Sequence, residues 1–204
     1  MIALISKDNN SIEDKEINVI NTLFKKGLIE LFHFRKYNIS DEDARYFIKR
    51  INKEYSCKVI IHQRFHLIDI YGLGGYHIGK NIPRPPVEEA KVFISRPCHS
   101  LKELEKYRKD EGIDQVLLSP IFDSISKKGV KGEFDLNELK KDLNKPRDNF
   151  RVLALGGIDG ENAKRAFDLG FDGVALKGAF WNKVEQNRLD EAIKMLENIK
   201  SYVR

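Results

Sequence analysis

Eight short apolar runs, separated by segments with a helical pattern, constrain the fold of this 204-residue chain more than any other feature. Most runs are continuously apolar, which is typical of strands buried on both faces of a parallel sheet. Strands alternating with helices in this number predict an α/β protein, a small (β/α)8 TIM barrel forming a single domain over residues 1–204. The alternative is an open doubly wound sheet, but no GxGxxG follows the first run. The runs are Ile2–Ser6, Leu28–Phe34, Lys58–His62, Gly75–Gly79, Lys91–Ser95, Gln115–Pro120, Val152–Gly157 and Gly173–Gly178.

The segments between the runs predict helices with recognisable ends. Ser40 and Ser100 are expected to cap helices, because each is followed three residues later by an acidic residue. A helix that begins near Asp159 is expected to stop at Gly170. Residues 96–98 are expected to shape a turn. The predicted helices are Ser11–Lys26, Phe65–Leu73, Ser100–Glu111, Asp159–Leu169 and Gln186–Tyr202, with Pro83–Glu89 as a loop.

Composition and charge exclude several classes of protein. The net charge of +5 is modest and scattered, which suits an anionic small ligand but no nucleic acid. The two cysteines, Cys57 and Cys98, form no CxxC and predict neither a disulfide framework nor a structural zinc site. Because no apolar run reaches about 18 residues and the N-terminus lacks a signal-peptide pattern, we expect a cytoplasmic protein with no membrane span. The oligomeric state is left open, a homo-oligomer included.

The carboxyl ends of the strands concentrate polar and cationic residues. In a (β/α)8 barrel the chemistry lies at these ends and in the loops that follow them. Four of the five histidines are found there, and such a rim suits an anionic substrate. The ends are His33–Lys36, His62–Arg64, His77–Asn81, Ser95–His99, Ser119–Pro120, Gly156–Gly157 and Lys177–Gly178.

Glycine turns after the last two strands favour a phosphate site. Gly156, Gly157 and Gly178 let backbone amides approach a phosphate closely, and a helix N-terminus adds positive potential. The loops after strands seven and eight are the usual phosphate site of such barrels. A tight turn without a ligand is the alternative.

Hydroxyls and cations fill the long loop after the sixth strand. Ser124 and Ser126 are candidate donors to phosphate oxygens, and Lys127 is a candidate point charge. The loop over residues 122–132 is either a lid or a solvated loop without a role. Arg35 offers a bidentate fork for a phosphate or pyrophosphate, with a rim salt bridge as the alternative.

Three histidines, His33, His62 and His77, lie at strand ends. Each is a candidate acid–base group or ligand, but a hydrogen-bonded core histidine is the more ordinary role for any one of them. Three histidines make a metal site only where their ring nitrogens converge, which a sequence does not show. His99 is expected to be structural at a helix start, and Trp181 is expected only to pack.

Several of these segments, taken in order, resemble the thiamine-phosphate synthase and thiazole tautomerase family. Ser119-Pro120-Ile121-Phe122 followed by Ser124-Ile125-Ser126-Lys127 resembles its GPIF…TxTK or TxSK loop. His77-Ile78-Gly79 is similar to its HxGQ strand, and residues 155–158 and 173–175 match its ALGGI and DGVAV strands. The similarity runs from about the second strand to the eighth, which is most of the chain.

The resemblance implies a transferase of thiamine biosynthesis. The family's synthase joins an aminopyrimidine-methyl pyrophosphate to a thiazole phosphate; pyrophosphate leaves with Mg²⁺ assistance, and the thiazole nitrogen captures the resulting cation. Such chemistry needs cations around the leaving group and a separate cradle for the phosphate. By position, Arg35 and Lys127 are candidate catalytic residues, and Lys80 is a third as a counter-charge in place of a metal ion. The candidate substrate-binding residues are His33, Lys36, His62, Gln63, His77, Asn81, Ser119, Ser124, Ser126, Gly156, Gly157, Lys177 and Gly178.

The sequence departs from the family pattern where the metal ligands belong. The family carries magnesium-binding acids in an ND pair after strand three and in a GQDD-like stretch after strand four. Here those places read His62-Gln63 and Gly79-Lys80-Asn81, so Mg²⁺ would lose its charged ligands at Gln63 and Asn81. Pro120 stands where the tautomerase branch places a histidine. The alternatives to a synthase are a divergent paralogue, such as a tautomerase or a metal-free enzyme, and a non-catalytic binder of a phosphorylated precursor.

Overall fold

The strands of this chain close into a parallel barrel in a computed structural model. Their order around the barrel follows the chain, and the last strand pairs with the first through Ile2 and Val174. The predicted (β/α)8 TIM barrel is therefore confirmed. The structure describes residues 1–79, 92–110, 112–123, 132, 134–146 and 150–203. The strands are β1 (Ile2–Ile5), β2 (Leu31–Phe34), β3 (Val59–Ile61), β4 (Gly75–His77), β5 (Phe93–Cys98), β6 (Gln115–Leu118), β7 (Arg151–Ala154) and β8 (Gly173–Leu176).

Helices connect the strands and form the outer layer. None of the described helices is long and apolar enough to cross a membrane. The helices are α1 (Asp14–Lys25), α2 (Asp41–Arg50), α3 (Leu67–Tyr71), α4 (Leu101–Arg108), α5 (Leu136–Leu143), α6 (Ala163–Leu169), α7 (Gly178–Glu185) and α8 (Leu189–Lys200), with a 3-10 helix at Lys53–Lys58.

The caps predicted at Ser40, Ser100 and Gly170 are confirmed, with one change of partner, whereas α6 begins at Ala163 and not near Asp159. The Ser40 hydroxyl accepts from the Asp43 amide, and the Asp43 carboxylate accepts from the Ser40 amide, which closes a capping box. Ser100 accepts from the amide of Glu103, but the Glu103 carboxylate accepts from the amide of His99 instead. The helix α6 ends at Gly170, whose φ of 104° is left-handed, as the sequence predicted.

The turn predicted at residues 96–98 was wrong, because these residues continue β5. Pro97 lies in register with Leu117 of β6. On its other side β4 has already ended, since His77 is the last residue of that strand and lies opposite Ser95. A backbone N–H at position 97 would have no residue of β4 to pair with. A proline there therefore removes no hydrogen bond from the sheet. The loop predicted at residues 83–89 lies outside the described residues.

The core has an outer layer between strands and helices and an inner layer in the barrel lumen. Side chains alternate between the two along each strand. On β6, for example, Val116 and Leu118 pack in the outer cluster, whereas Leu117 packs in the lumen. The lumen cluster consists of Ala3, Ile5, Leu117, Leu153 and Ala175, which come from β1, β6, β7 and β8.

The remainder of the lumen, beside β2 to β6, holds polar side chains. His33, Ser95 and Gln115 are fully buried there, at 0% exposure. The rings of His62 and His77 lie next to His33, with centroid separations of 5.3 and 5.7 Å. One half of the lumen is therefore an ordinary apolar core, and the other half is a buried polar network.

Candidate functional site

Two adjoining cavities open at the carboxyl end of the barrel. The larger has a volume of about 620 Å³ and the smaller about 340 Å³. Both are lined by Arg35, His99 and Ser119, so they form one continuous rim site. The larger cavity also takes in the predicted residues Gly156, Gly157, Lys177 and Gly178. The smaller takes in His62, Gln63 and His77.

The turn after β7 has room only for glycine. Gly157 has a φ of +66°, and a Cβ there would lie 2.3 Å from the carbonyl oxygen of Asp123. The loops after β6 and β7 therefore touch through bare backbone, which no larger residue would allow. The Gly157 carbonyl accepts from the side-chain amide of Asn162 at 2.7 Å, which ties the turn to the segment before α6.

The helix α7 starts directly on the wall of the larger cavity. Its N-cap residue is Lys177, whose ammonium pairs with the carboxylate of Asp8 in the loop after β1. Trp181 donates from Nε1 to the carbonyl of Ile5 at 2.7 Å. Trp181 therefore does more than pack, because it fixes the first turn of α7 against β1 beside the cavity.

Arg35 is held where the two cavities meet. Its backbone amide donates to the hydroxyl of Ser6 at 2.9 Å, which joins the ends of β1 and β2. Its guanidinium carbon lies 5.4 Å from the centroid of the Tyr37 ring, and its Nε donates to the Tyr37 hydroxyl at 3.3 Å. The geometry leaves a cation on the rim, in keeping with the role predicted for this residue.

Lys36 needs a correction, because the structure does not bring it to either cavity. Its ammonium lies 2.9 Å from a carboxylate oxygen of Glu16 on α1, and both side chains are fully buried. It also donates to the side chain of Asn9. Burial raises the pKa of Glu16 in spite of this lysine. Since the amine is committed to a buried ion pair behind the rim, Lys36 joins β2 to α1 and is not a substrate contact.

The three histidines converge in the polar half of the lumen. One ring nitrogen from each of His33, His62 and His77 lies within 4.8 Å of the other two. His33 Nδ1 and His62 Nε2 are 3.1 Å apart, and the rings of His62 and His77 stack at 4.3 Å. His33 itself lines neither cavity, so the substrate contact predicted for it would have to pass through His62 or His77.

Two buried polar residues hold these rings from behind. Ser95 Oγ lies 2.9 Å from His77 Nδ1, and Gln115 Nε2 lies 3.3 Å from both His33 Nε2 and Ser95 Oγ. Gln115 Oε1 is buried and has no hydrogen-bond partner among the described residues. The network therefore contains one acceptor that is not used, at a site closed to bulk water.

Burial keeps the three imidazoles neutral. It lowers the pKa of His33 to about 3. For His62 and His77, burial and then the positive potential of neighbouring histidines, together with Arg35, lower the pKa well below the usual value. Each ring therefore keeps a lone pair at neutral pH, which a proton donor or a cation can use.

Five predicted site residues lie outside the described residues. They are Lys80, Asn81, Ser124, Ser126 and Lys127. Their roles stay predictions from the sequence.

Some residues of the site escaped sequence reasoning. Asp8 and Asn9 line the larger cavity, and they follow β1 as the other candidates follow their strands, so the strand-end rule could have found them. His99 lines both cavities, and its Nδ1 donates to the Ser119 carbonyl at 3.0 Å, although it was expected to be only structural. Ser95 was named only as a strand end, and Gln115 gave no signal beyond its place in a strand.

Comparisons with known proteins identify the family of this barrel. The family model described as thiamine monophosphate synthase matches residues 2–180. The chain belongs to the thiamine monophosphate synthase family. Curated relatives include thiamine-phosphate synthases of Lysinibacillus sphaericus, 28% identical over 74% of this chain and 72% of that protein, and of Clostridium novyi, 28% identical over 85% and 86%. The family is one of transferases.

A solved structure of similar fold has a name from the same family. The thiamine phosphate pyrophosphorylase of Bacteroides thetaiotaomicron superposes with a TM-score of 0.79 and 25% identity, covering 99% of this chain and 96% of that one. The likeness therefore extends over nearly the full length of both barrels.

The described donors do not suit the Mg²⁺ that the family resemblance implies. Mg²⁺ prefers oxygen ligands, usually including carboxylates. Among the described residues that line the smaller cavity none carries a carboxylate, and the metal positions hold imidazole and amide groups at His62 and Gln63. Asp8 and Glu185 on the larger cavity are already paired with Lys177 and Lys7. The rim therefore offers nitrogen donors and committed carboxylates.

Proposed function

We propose that this chain is a thiamine-phosphate synthase, which joins an aminopyrimidine-methyl pyrophosphate to a thiazole phosphate and releases pyrophosphate. The observation that carries the proposal is the pair of adjoining rim cavities in a barrel of this family. One cavity offers a glycine turn and a helix start, and the other offers histidines and an amide. Arg35 lies between them, so two substrates can meet beside one cation.

The larger cavity is the proposed site of the thiazole phosphate. Gly157 brings bare backbone to its wall. The amides of Gly178 and Ala179 come before the first hydrogen bonds of α7, which Phe180 and Trp181 donate to the Lys177 carbonyl. A helix N-terminus stabilises an anion through these amides and its dipole. Lys177 adds charge, shared with Asp8. Ser124 and Ser126 are proposed to complete this cradle.

Arg35 is the proposed stabiliser of the leaving group. In the reaction the bond from the pyrimidine methylene carbon to the pyrophosphate oxygen breaks, and that oxygen takes the electron pair. The thiazole nitrogen then donates its lone pair to the methylene carbon, forming a carbon–nitrogen bond without a proton transfer. A guanidinium on the rim can donate two parallel hydrogen bonds to the pyrophosphate oxygens and so stabilise the negative charge that grows on them. Lys127 and Lys80 are proposed as further cations by their sequence positions.

The smaller cavity is the proposed site of the aminopyrimidine. His62, Gln63 and His77 line it, and neutral imidazoles with an amide can donate to and accept from a heteroaromatic ring. Because the described donors do not suit Mg²⁺, we derive no step through that ion. Asn81 is proposed to lie with this group.

The tautomerase alternative is not favoured. Pro120 stands where that branch carries a histidine, and the relatives with the highest similarity reported above are named synthases. A single domain over the whole chain and a cytoplasmic location remain predictions, and so does the homo-oligomer.

The proposal is tested by incubating the purified protein with both substrates and measuring thiamine phosphate by chromatography. Reactions with added Mg²⁺ and with excess chelator run side by side. We expect product in both, because the described rim holds no free carboxylate pair for Mg²⁺. Absence of product in both conditions, with both ligands bound in calorimetry, would leave the binder alternative instead. Product with Mg²⁺ alone would keep the synthase and contradict the expected activity without Mg²⁺.

Arg35→Ala provides the matched test of the site. We expect kcat/KM to fall by about 100-fold or more, since one charge-stabilising donor is lost. Arg50→Ala is the control, because Arg50 lies at the C-terminal end of α2 and pairs with Asp14 away from the rim. Equal activity of the two variants would contradict the role of Arg35.

A further inference from the structure

We propose that His33, His62 and His77 form a binding site for a divalent transition metal such as Zn²⁺, inside the polar half of the barrel lumen. The inference does not depend on the synthase reaction. It starts from the convergence of one ring nitrogen from each residue within 4.8 Å. Three imidazoles on neighbouring parallel strands are a donor set that Zn²⁺ and related ions prefer over Mg²⁺.

The spacing needs only a small contraction. Zn–N bonds of about 2.0–2.1 Å in a tetrahedral site place ligand nitrogens roughly 3.3 Å apart. His33 Nδ1 and His62 Nε2 are already 3.1 Å apart. The third nitrogen, from His77, has to approach by at most about 1.5 Å, given the 4.8 Å limit. Rotation of imidazole rings about their side-chain bonds can supply that, since those torsions have broad minima.

Residues behind two of the rings lie where the acceptors of a metal site belong. Metal-ligating histidines usually donate their other N–H to an acceptor, which fixes the tautomer. Ser95 Oγ faces His77 Nδ1, so His77 Nε2 is left to point at the ion. Gln115 faces His33 Nε2, so His33 Nδ1 is left to do the same.

Gln115 also explains how the site changes from its metal-free form. Without metal its amide nitrogen donates to His33, and its oxygen is buried without a partner among the described residues. A half-turn of the amide would bring Oε1 against His33 Nε2. His33 then changes tautomer, so that its proton lies on Nε2 and not on Nδ1. The Nε2–H donates a hydrogen bond to Oε1, and the lone pair of Nδ1 is free to bind the metal ion. No proton enters or leaves the protein in this exchange.

The three ligands leave a fourth position open, and it faces the substrate rim. His62 and His77 line the smaller cavity, whereas His33 is closed off behind them. Three protein ligands with one open position are typical of catalytic zinc rather than structural zinc. Arg35 lines the same cavity, so we expect the fourth ligand to be an anion, which offsets the charge of the ion.

The test is metal binding by the full chain, first stripped with a chelator and dialysed. Zn²⁺ is titrated in competition with a chromophoric chelator, and Co²⁺ is added separately to record the visible absorption of a four-coordinate ion. We expect one equivalent of either ion per chain. We expect His62→Asn to lower the affinity by more than about 100-fold and Gln115→Leu by about 10–100-fold.

The controls distinguish this site from surface binding. His66→Ala should bind as the wild type does, because His66 is half exposed and pairs with Asp41 on the outside. Cys57→Ser should also bind normally, since Cys57 is an exposed thiol. His62 is replaced by Asn, the residue that the family carries there, and His77→Gln is the second variant should the first fail to fold.

Wild-type binding that persists in both histidine variants would overturn the proposal, and so would binding lost in His66→Ala or Cys57→Ser. Absence of stoichiometric Zn²⁺ and Co²⁺ binding would do the same. The three rings would then be a hydrogen-bonded part of the core.

Discussion

The two halves of the barrel lumen differ in what they bury. The half beside β1, β6, β7 and β8 holds Ala3, Ile5, Leu117, Leu153 and Ala175. The half beside β2 to β6 holds three histidines with Ser95 and Gln115. Both halves are inaccessible to solvent over most of their depth. Only the first can be explained by stability, because apolar burial is favourable, whereas buried polar groups cost free energy unless every bond is made.

The contrast indicates where a ligand site lies in this barrel. A polar network placed in a lumen that apolar side chains could fill is a local break with the packing rule. The network also has an unused acceptor, Gln115 Oε1, next to a histidine. Its open side meets the smaller cavity at His62 and His77. The apolar half therefore supports the barrel, and the polar half is arranged for a ligand.

The largest expected effect is on the apolar half. Leu153→Ala should lower the free energy of unfolding by about 2–5 kcal/mol, because Leu153 is fully buried and the barrel cannot collapse around the space it leaves. Urea denaturation measures the change. Metal binding by this variant should match that of the wild type, and a loss of metal binding would show that the two halves are not independent.

Zn²⁺ should act on the polar half alone. At about 100 times its dissociation constant it should raise the free energy of unfolding by about 2.7 kcal/mol in the wild type and in Leu153→Ala. His62→Asn should gain much less. Unfolding curves recorded with and without Zn²⁺ supply the comparison, and an equal gain in all three proteins would place the ion elsewhere.

Removal of the polar network's central amide should have a smaller effect. Gln115→Leu deletes donors to His33 and Ser95, which are both fully buried. His33 Nε2 would lose its partner, whereas Ser95 Oγ would keep His77 Nδ1. The loss should cost about 1–3 kcal/mol, partly offset because the unpaired Oε1 disappears as well. The change is measured in the presence of chelator. A loss as great as that of Leu153→Ala would mean that the polar half is a structural core after all.

The smallest expected effect belongs to Asp142, which lies in an ion pair outside the lumen. It gives a reference against which the three effects within the lumen can be compared. Burial alone would raise the pKa of Asp142, but hydrogen bonds from Arg108 and Lys145 outweigh it and lower the pKa below its usual 3.8. The stabilisation from this group is therefore present above pH 3.8 and is lost as the pH falls below it.

Asp142→Asn should lower the free energy of unfolding at pH 7 by up to about 1 kcal/mol, since Lys145 is largely exposed and the asparagine keeps an oxygen that can accept from Arg108. The gap between variant and wild type should shrink as the pH falls below 3.8. A gap that grows on acidification would show that the sign is wrong.

The sequence determined the fold and the position of the rim. Eight apolar runs with helices between them favour a parallel barrel, because such runs are typical of strands buried on both faces and their number is that of a (β/α)8 barrel. The strand-end rule then placed Arg35, His62 and His77 at one end of the barrel, where the cavities lie. Pro97 misled this reasoning, because its fit depends on where the neighbouring strand stops.

Which of these side chains meet depends on how the strands are placed in the folded barrel. Lys36 and Arg35 are neighbours in the chain, yet Lys36 is committed to Glu16 on α1 while Arg35 faces the rim. His33, His62 and His77 come from three strands, and their ring nitrogens converge because barrel closure and inward alternation aim them at one point. Distances between side chains on different strands depend on register and tilt, which local sequence does not encode.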